Sequence, residues 1–463
     1  MKIRYFFFVV VFIFTSCAPK PHRDDAVLKE GCDVGDVFAF EEGGWPESRW
    51  WEGFEDASLT ALVDHALRFS PTLAQVEEKV LVSVSMALQE RAHLFPEFGL
   101  ELSDEWQHLA KEGFYRGFAP TVPAVVNDVK AGIGVWYVFD FWGKNRALVQ
   151  AALGEVRAMR AERAQAELVL ASSVTAAYIE LQGYLEKLAL MRDVVSLKEQ
   201  IEDVHVRRKE HALDKETGVL ASGTDVLSVR ARVSMLEGLV AEKRHAVCAL
   251  IGEGQSFAFD VGSLGVFDVG MPQGVFMDLI ARRPDIAAQR ARVEACADRV
   301  FVAKTEFYPN IDLAALIGWE SIYIHQLFLS KNYSASIKPA LHLPLFTAGR
   351  LQAQLDAAQA FYNEAVYVYN ALIVQACREV ADGLSMLLSL KGQIDAQIRV
   401  VESLLEVLLV ERGRMEHGVG CRLAVLEEEV SLLEARYVLI DLESSMRLWR
   451  VFLVRALGGG YVE

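Results

Sequence analysis

Two prolines keep the same separation twice in this chain. Pro71 and Pro96 recur as Pro284 and Pro309, both 213 positions later (284 − 71 and 309 − 96). Their surroundings recur as well. Phe69-Ser70-Pro71-Thr72-Leu73 is answered by Arg282-Arg283-Pro284-Asp285-Ile286, and Leu94-Phe95-Pro96-Glu97-Phe98 by Phe307-Tyr308-Pro309-Asn310-Ile311. Between the prolines, residues 75–90 and 287–305 contain neither Gly nor Pro and read as helices, the first opened by Pro71. A later landmark also repeats: Phe141-Trp142-Gly143-Lys144-Asn145-Arg146 returns as Leu345-Phe346-Thr347-Ala348-Gly349-Arg350. The chain is two similar halves, and its fold and function must both use a duplicated unit.

Each half is dominated by helix. From Gly143 to about Ala212 there is no proline, and at about 1.5 Å per residue such a tract spans roughly 100 Å. Leu190, Val194, Leu197, Ile201 and Val204 advance by alternating steps of four and three, which is a coiled-coil seam. A turn within 212–223 reverses the chain into a return helix over 226–251, ended by Gly252 and Gly254. In the second half a helix over 349–416 is followed by the turn His417-Gly418-Val419-Gly420 and a return over 423–457. There Leu423, Leu426, Val430, Leu433, Tyr437 and Ile440 form a second seam, and Gly458-Gly459-Gly460 stops it. Such seams impose a left-handed supercoil.

Strand patterns follow each second proline. Phe98, Leu100 and Leu102 alternate with small or polar residues, and a second alternating run covers 129–139. The second half has its pair at 311–316 and 334–343. Trp106, Trp136, Tyr137, Trp319 and Tyr323 fall on or near these runs, where an outer-membrane barrel places aromatic girdles. A soluble β-sandwich insert is the alternative. Two hairpins cannot close a barrel, so the membrane reading requires several chains to share one.

The amino terminus supports export. Lys2 and Arg4 precede an apolar stretch at 5–14 and then Thr15-Ser16-Cys17. That stretch is too short to span a bilayer and reads as a secretory signal. Phe14-Thr15-Ser16-Cys17 resembles a lipobox, with Phe14 and Thr15 where Leu and Ala or Ser are usual; ordinary cleavage leaving Cys17 unmodified is the alternative. An acylated Cys17 would tether the mature chain, each buried methylene contributing about 0.8 kcal/mol. The net charge of −16 disfavours a nucleic-acid partner, and no later segment reaches the apolar length of a spanning helix. Only a closed β-barrel then remains as a way into the outer membrane. The six cysteines show no metal-type spacing. Cys248, Cys296, Cys377 and Cys421 read as small packing residues.

These features together resemble the TolC-like outer membrane factors, in particular the lipoprotein branch (the NodT-type partners of RND pumps). The resemblance rests on Cys17, the entry Trp50-Trp51-Glu52-Gly53-Phe54-Glu55-Asp56, the Arg282–Ile286 run, Phe307-Tyr308-Pro309, Pro344-Leu345-Phe346 with Gly349-Arg350, and Arg455-Ala456-Leu457-Gly458-Gly459-Gly460. It implies a mixed α and β membrane protein. Three chains would form a 12-stranded outer-membrane β-barrel continued by a long periplasmic α-helical barrel, with two structural repeats per chain. The expected division is a signal peptide at 1–16, then the lipid anchor, amino-terminal segment and first repeat helices at 17–95. The first β-hairpin would take 96–142, the first helical hairpin 143–271, the second repeat helices 272–308, the second β-hairpin 309–346, and the second helical hairpin with the carboxyl terminus 347–463. The implied partners are two further copies, a periplasmic adaptor, an inner-membrane RND-type pump and outer-membrane lipids.

No catalytic, cofactor or metal site is expected. His205 and His211 are six apart and do not share a helical face, and there is no HExxH, nucleophile elbow or phosphate-binding glycine loop. What remains is a passive duct whose chemistry is access control. By motif position the family's periplasmic constriction falls on Leu423 and Glu427, with Val430 where an Arg is usual. Helical spacing puts Leu423, Glu427, Val430 and Glu434 on one stripe. Three Glu427 side chains around an axis would favour cations; a solvated face is the alternative. The family's turn pattern Gly-x-x-Ser-x-x-Asp is broken at the second turn by Cys421 and Ala424. The first turn offers Gly218, Ser222 and Asp225 at wider spacing. A duct for type I protein secretion and a coiled-coil structural lipoprotein are the competing functions. The lipobox-like signal favours the efflux branch, and the strand hairpins disfavour a rod.

Overall fold

A computed structural model describes residues 19–29, 44–119, 121–265, 267 and 282–462. Cys17 and Cys32 lie outside them, as does the first part of the segment expected to hold the second repeat helices. The elements run α1 (Ala57–Phe69), α2 (Pro71–Ala92), β1 (Glu97–His108), the one-turn α3 (Phe114–Phe118), β2 (Val125–Phe139), α4 (Lys144–Glu210) and α5 (Glu216–Leu250). The second half supplies α6 (Pro284–Thr305), β3 (Asn310–Ser321), β4 (Tyr333–His342), α7 (Arg350–Glu416) and α8 (Arg422–Ala456).

The duplication is exact in helix length. α2 and α6 each have 22 residues, α4 and α7 each 67, and α5 and α8 each 35. From Gly143 onward the offset is 206 residues. Positive-φ backbone recurs at Gly143 and Gly349, at Ala212 and Gly418, and at Gly252 and Gly458, all 206 apart. The chain divides into two compact units, one made of 1–28, 80–159 and 289–369, the other of 29–79, 160–288 and 370–463.

The first unit is built around one antiparallel sheet in the order β1-β2-β3-β4. The two hairpins are joined by β2 pairing with β3, from Val129 opposite Ser321 to Phe139 opposite Ile311. At Gly132 opposite Gly318 the two backbones approach so closely that a Cβ on either residue would overlap the other strand. The last part of α2, the start of α4, most of α6 and the start of α7 complete this unit. Two ion pairs join α4 to α6, Arg157–Glu294 and Arg299–Glu155 at 3.0 Å each, and Lys144 pairs at 2.6 Å with Glu306 just past the end of α6. Gly154 lets the two helices touch, since a Cβ there would lie 2.9 Å from Ala295 Cβ.

An extended segment lies along α7 in the same unit. Gln352 donates to the Lys20 carbonyl, Asp356 accepts from the His22 N–H, Asn363 accepts from the Ala26 N–H and donates to the Asp24 carbonyl, and Gln359 donates to the Asp25 carboxylate. Positions 352, 356, 359 and 363 advance by four, three and four, so they form one polar stripe on the helix.

In the second unit Trp50, Trp51 and Phe54 form a 3-10 turn whose side chains are buried with Leu59, Val63 and Ala66 of α1. Asp56 caps α1, accepting from the Ser58 and Leu59 N–H groups. Its second oxygen accepts from the buried Tyr178 hydroxyl at 2.6 Å, which in turn accepts from the Gly262 N–H at 2.8 Å. Burial and the Asp56 hydrogen bond push the Tyr178 hydroxyl well above the usual tyrosine range. The two sequence seams meet. Leu190, Val194, Leu197, Ile201 and Val204 of α4 pack in one cluster with Leu423, Leu426, Val430, Leu433 and Tyr437 of α8, and with Val229 and Leu236 of α5. Val425 and Leu432, on another side of α8, pack against Leu408 of α7.

The Arg283 guanidinium explains why the Arg282–Ile286 run and the glycine triplet occur together. It is buried, pairs with Asp285 and Glu379 at 2.8 Å each, and donates to the Ala456 carbonyl at 2.9 Å, the end of α8. Burial alone would lower its pKa, but the two carboxylates hold it raised. Gly458, at φ 90°, sits where any Cβ would overlap the Arg282 carbonyl.

Candidate functional site

Two regions hold the residues singled out by the sequence: the sheet and the helix turns. Directly paired residues share a face of a sheet. One face carries Phe98, Leu100, Leu102 and Trp106 of β1, Ile133 of β2, Ile317 and Trp319 of β3, and Tyr333 and Ile337 of β4. These side chains are exposed, Leu100 to 84%. The opposite face carries Glu101, Ser103, Glu105, Asp128, Lys130, Ser334, Ser336, Lys338 and Glu320, with Lys130 2.7 Å from Asp128. An uncovered apolar face backed by a charged one suits a sheet between lipid and water. Trp136 departs from the expected girdle. It lies on the polar face, its ring filling the space over Gly99 and Gly134. Aromatic residues do flank the sheet. Trp319 stacks edge-on with Phe328 near one end, and Trp142 packs on Tyr308 at 5.1 Å near the other, donating to the Pro309 carbonyl.

The helix turns lie in the second unit. The first turn spans 211–215, because α5 begins at Glu216. Gly218, Ser222 and Asp225 are therefore inside α5, and the return helix starts ten residues before the expected 226. The positive-φ position is filled by Ala212, a residue type that carries no turn signal. Side-chain bonds close this turn. His205 Nδ1 lies 2.6 Å from Asp214, Lys215 N–H donates to Asp214, and Lys209 pairs with Glu216 at 3.1 Å. The hydrogen bond with His205, followed by the one from Lys215, holds the Asp214 carboxyl below its usual range. His205 thus ties the end of α4 to the turn residue Asp214. Among the described residues no group of three His, Cys, Asp or Glu could hold a metal ion.

The second turn, 417–421, contains the expected His417-Gly418-Val419-Gly420, with Gly418 at φ 74°. Cys421 is exposed at the amino-terminal cap of α8, not packed as expected; Cys248 and Cys377 are buried. Leu423 is half-buried in the α4–α8 seam, and Arg422 reaches Gln200 of α4 at 3.0 Å. Glu427 and Glu434 are exposed, whereas Val430 is buried in the seam. The expected single stripe is divided, since Val430 and Leu423 serve the protomer's own packing and the two glutamates face away. Glu429, two residues after Glu427, is paired with Arg412.

The family model for outer membrane efflux proteins matches residues 62–253 and 275–459, one stretch in each half. The chain belongs to that family. It is 29% identical over 450 residues to the multidrug resistance outer membrane protein MdtP of Escherichia coli strain K12, covering 95% of this chain and 92% of MdtP. It is 27% identical to MdtQ of E. coli O6:H1, covering 98% and 97%. Among solved structures it resembles the outer membrane protein VceC of Vibrio cholerae, with a TM-score of 0.81, 31% identity, and 90% and 100% of the two chains covered. The outer-membrane channel OprN shares the fold at a TM-score of 0.84 and 20% identity, covering 96% of this chain and 99% of OprN. As a member of this family the protein resides in the outer membrane, as an efflux channel extending into the periplasm. Sequence reasoning missed the polar stripe on α7 and the Arg283 clasp. The four-three spacing of Gln352, Asp356, Gln359 and Asn363 was a signal for the first; for the second only Arg283 itself was visible.

Proposed function

We propose that three copies of this chain form a closed 12-stranded barrel and a periplasmic α-barrel. The assembly is the exit duct through which an RND-type inner-membrane pump, joined by a periplasmic adaptor, expels small molecules or drugs. The observation that carries this is the sheet: four strands, one apolar face, one charged face, and unpaired edges at β1 and β4. A four-stranded sheet cannot close, and open edges do not persist in a bilayer, so further copies must supply the missing strands. The relatives named for multidrug resistance make drugs the substrate class to test first. Acylation of Cys17 would add a lipid tether beside the barrel.

The periplasmic entry is assigned to Leu423 and Glu427. Glu427 is exposed just past the second turn, and its repeat counterpart 206 positions earlier is Ala221. Glu427 would therefore form a ring of three carboxylates, not six, selecting cations. Purified protein in detergent is expected to have the mass of a trimer and to form conducting pores in planar bilayers. Glu427→Lys should turn cation preference toward anions in a salt gradient, while Glu434→Lys, two turns further along α8, should do much less. A monomeric mass with full helicity would overturn the duct. Unchanged reversal potentials in a trimeric Glu427→Lys would remove Glu427 from the constriction.

A further inference from the structure

Opposite the polar stripe on α7 lies a groove. Gln352, Asp356, Gln359 and Asn363 are taken up by the amino-terminal segment. Gln354, Phe361 and Ala365 each follow one of them by two positions, which is roughly half a helical turn. These residues belong to one wall of a groove of about 620 Å³ in the first unit. Its floor is the face of α6 that carries Gln289, Arg292, Cys296 and Arg299, and Glu155 of α4 closes the far side. Both ends of the floor are fastened. Gln289 donates to the Ala365 carbonyl at 3.0 Å, and Arg299 pairs with Glu155 at 3.0 Å. The groove is therefore preformed. Its α7 wall is mostly apolar, with Phe361 64% and Val368 45% exposed beside Ala357 and Ala358. Of its two cations, Arg299 is committed to Glu155, and Arg292 is also bonded within the chain. Glu364 is exposed on the α7 side. On the floor, burial pushes the Cys296 thiol up; Arg299 opposes this, while Glu155 and Glu364 push the same way. The groove thus offers an aromatic ring, apolar walls and a carboxylate, but no uncommitted cation.

We propose that this groove is a binding station for aromatic, amphiphilic cations on the inner wall of the duct, held by Phe361 and Glu364. The proposal rests on the tethered duct described above. A segment that leads from a lipid tether in the outer membrane runs along the outside of such a duct, so the opposite face of α7 looks into the lumen. A planar or propeller-shaped aromatic cation can place a ring and its charge against Phe361 and keep that charge near Glu364. An anion of the same shape would meet the Glu364 carboxylate with no free guanidinium to offset it. A preformed apolar hollow of this size with a few polar groups is the ordinary form of a small-molecule site. Its openness to the lumen keeps the binding weak, and weak binding is what lets a solute enter and then leave. Three chains would carry three equal stations, all on the path of every expelled molecule.

The test uses the full-length assembled protein in lipid nanodiscs and equilibrium dialysis against radiolabelled tetraphenylphosphonium, with empty nanodiscs as the blank. Binding above the blank should saturate at one cation per chain. Tetraphenylborate, the same shape with the opposite charge, should show no saturable binding above its own blank. Glu364→Gln, which keeps the side chain's size, should weaken the cation's Kd about three- to fivefold, the range of a partly exposed charge pair. Ala357→Trp should fill the groove and remove the saturable binding, with trimer mass and far-UV helicity unchanged. A wild-type trimer that forms conducting pores but binds no cation above the blank overturns the station and leaves the duct standing. Equal binding of both ions, or a Kd that Glu364→Gln does not move, overturns it as well. A monomeric wild type overturns the duct and the station together.

Discussion

The two helical hairpins have the same lengths, 67 residues out and 35 back, and both pack apolar side chains between their arms, but they differ in how many ion pairs cross. α4 and α5 are laced by ion pairs along their length: Lys243–Glu180, Arg192–Glu237, Arg230–Glu199, Lys198–Asp225 and Lys209–Glu216. α7 and α8 meet through Arg412–Glu429, a bond from Gln397 to the Ala435 carbonyl, and two apolar clusters. Exposed apolar side chains also run along α7 at Leu388, Val400, Leu405 and Leu409. Exposed ion pairs each contribute at most about 1 kcal/mol, so the first hairpin gains specificity of register from them more than stability. The second can bury apolar area elsewhere. A duplicated backbone can therefore keep its dimensions while its two copies acquire different neighbours.

The hairpin ends offer the largest test of this equivalence. Gly252 and Gly458 are counterparts with φ of 80° and 90°, yet their surroundings differ. A Cβ at Gly458 would overlap the Arg282 carbonyl, a backbone atom held by the Arg283 clasp, whereas at Gly252 it would meet Pro71 Cδ at 2.9 Å and the Phe69 carbonyl at 3.0 Å. Gly458→Ala should cost about 3 kcal/mol or prevent assembly, and Gly252→Ala roughly half as much. Thermal melts of the detergent-solubilised protein would rank them. Equal shifts would mean that the clasp adds nothing to the second end.

The turns should respond in opposite directions. Ala212 adopts φ 56° where its counterpart Gly418 adopts 74°. A non-glycine residue there is strained by about 1 kcal/mol. Ala212→Gly should relieve that strain and Gly418→Ala should introduce it. Hydrogen exchange at the two turns reports each locally, and a loss of protection in Ala212→Gly would refute the idea.

Acid should distinguish the turns least strongly but most selectively. The Asp214 carboxyl is held below its usual range by His205 and the Lys215 N–H, so its contribution is fully present above the ordinary carboxylate pKa of about 4. It is lost as pH falls through the lower folded value. The counterpart of Asp214 is Gly420, which has no charge to lose. Amides at 211–215 should therefore exchange faster below pH about 4, beyond the change at 417–421, and Asp214→Asn should abolish the difference. Acid-insensitive exchange at 211–215 would sink the claim.

The limits of the sequence reading have physical causes. The proline spacing and the three-four seams were local, periodic signals, and both hold: Val194 and Leu426 do share one cluster. The first turn was misplaced because glycine at 218 suggested a break, while the true break is closed by Ala212 and by bonds among Asp214, His205 and Lys215. Those bonds join Asp214 to residues one and nine positions away and follow no repeating spacing that a periodicity could reveal. The joining of β2 to β3 crosses the whole first hairpin, so no turn motif could announce it. Leu423 and Glu427 were legible as neighbours one helical turn apart. That Leu423 and Val430 are taken up by the seam while Glu427 and Glu434 turn away from it required knowing where α4 packs.

The polar stripe on α7 has an evolutionary consequence. Gln352, Asp356 and Asn363 bond mostly to main-chain groups of residues 20–26, which every amino acid but proline supplies alike. Apart from His22 and Asp25, whose side chains also reach the stripe, side chains in that stretch can drift, while an inserted or deleted residue would shift every later bond off its partner. Across species such a segment should vary in letters and hold its length, leaving a sequence profile little to score; the family match begins only at residue 62.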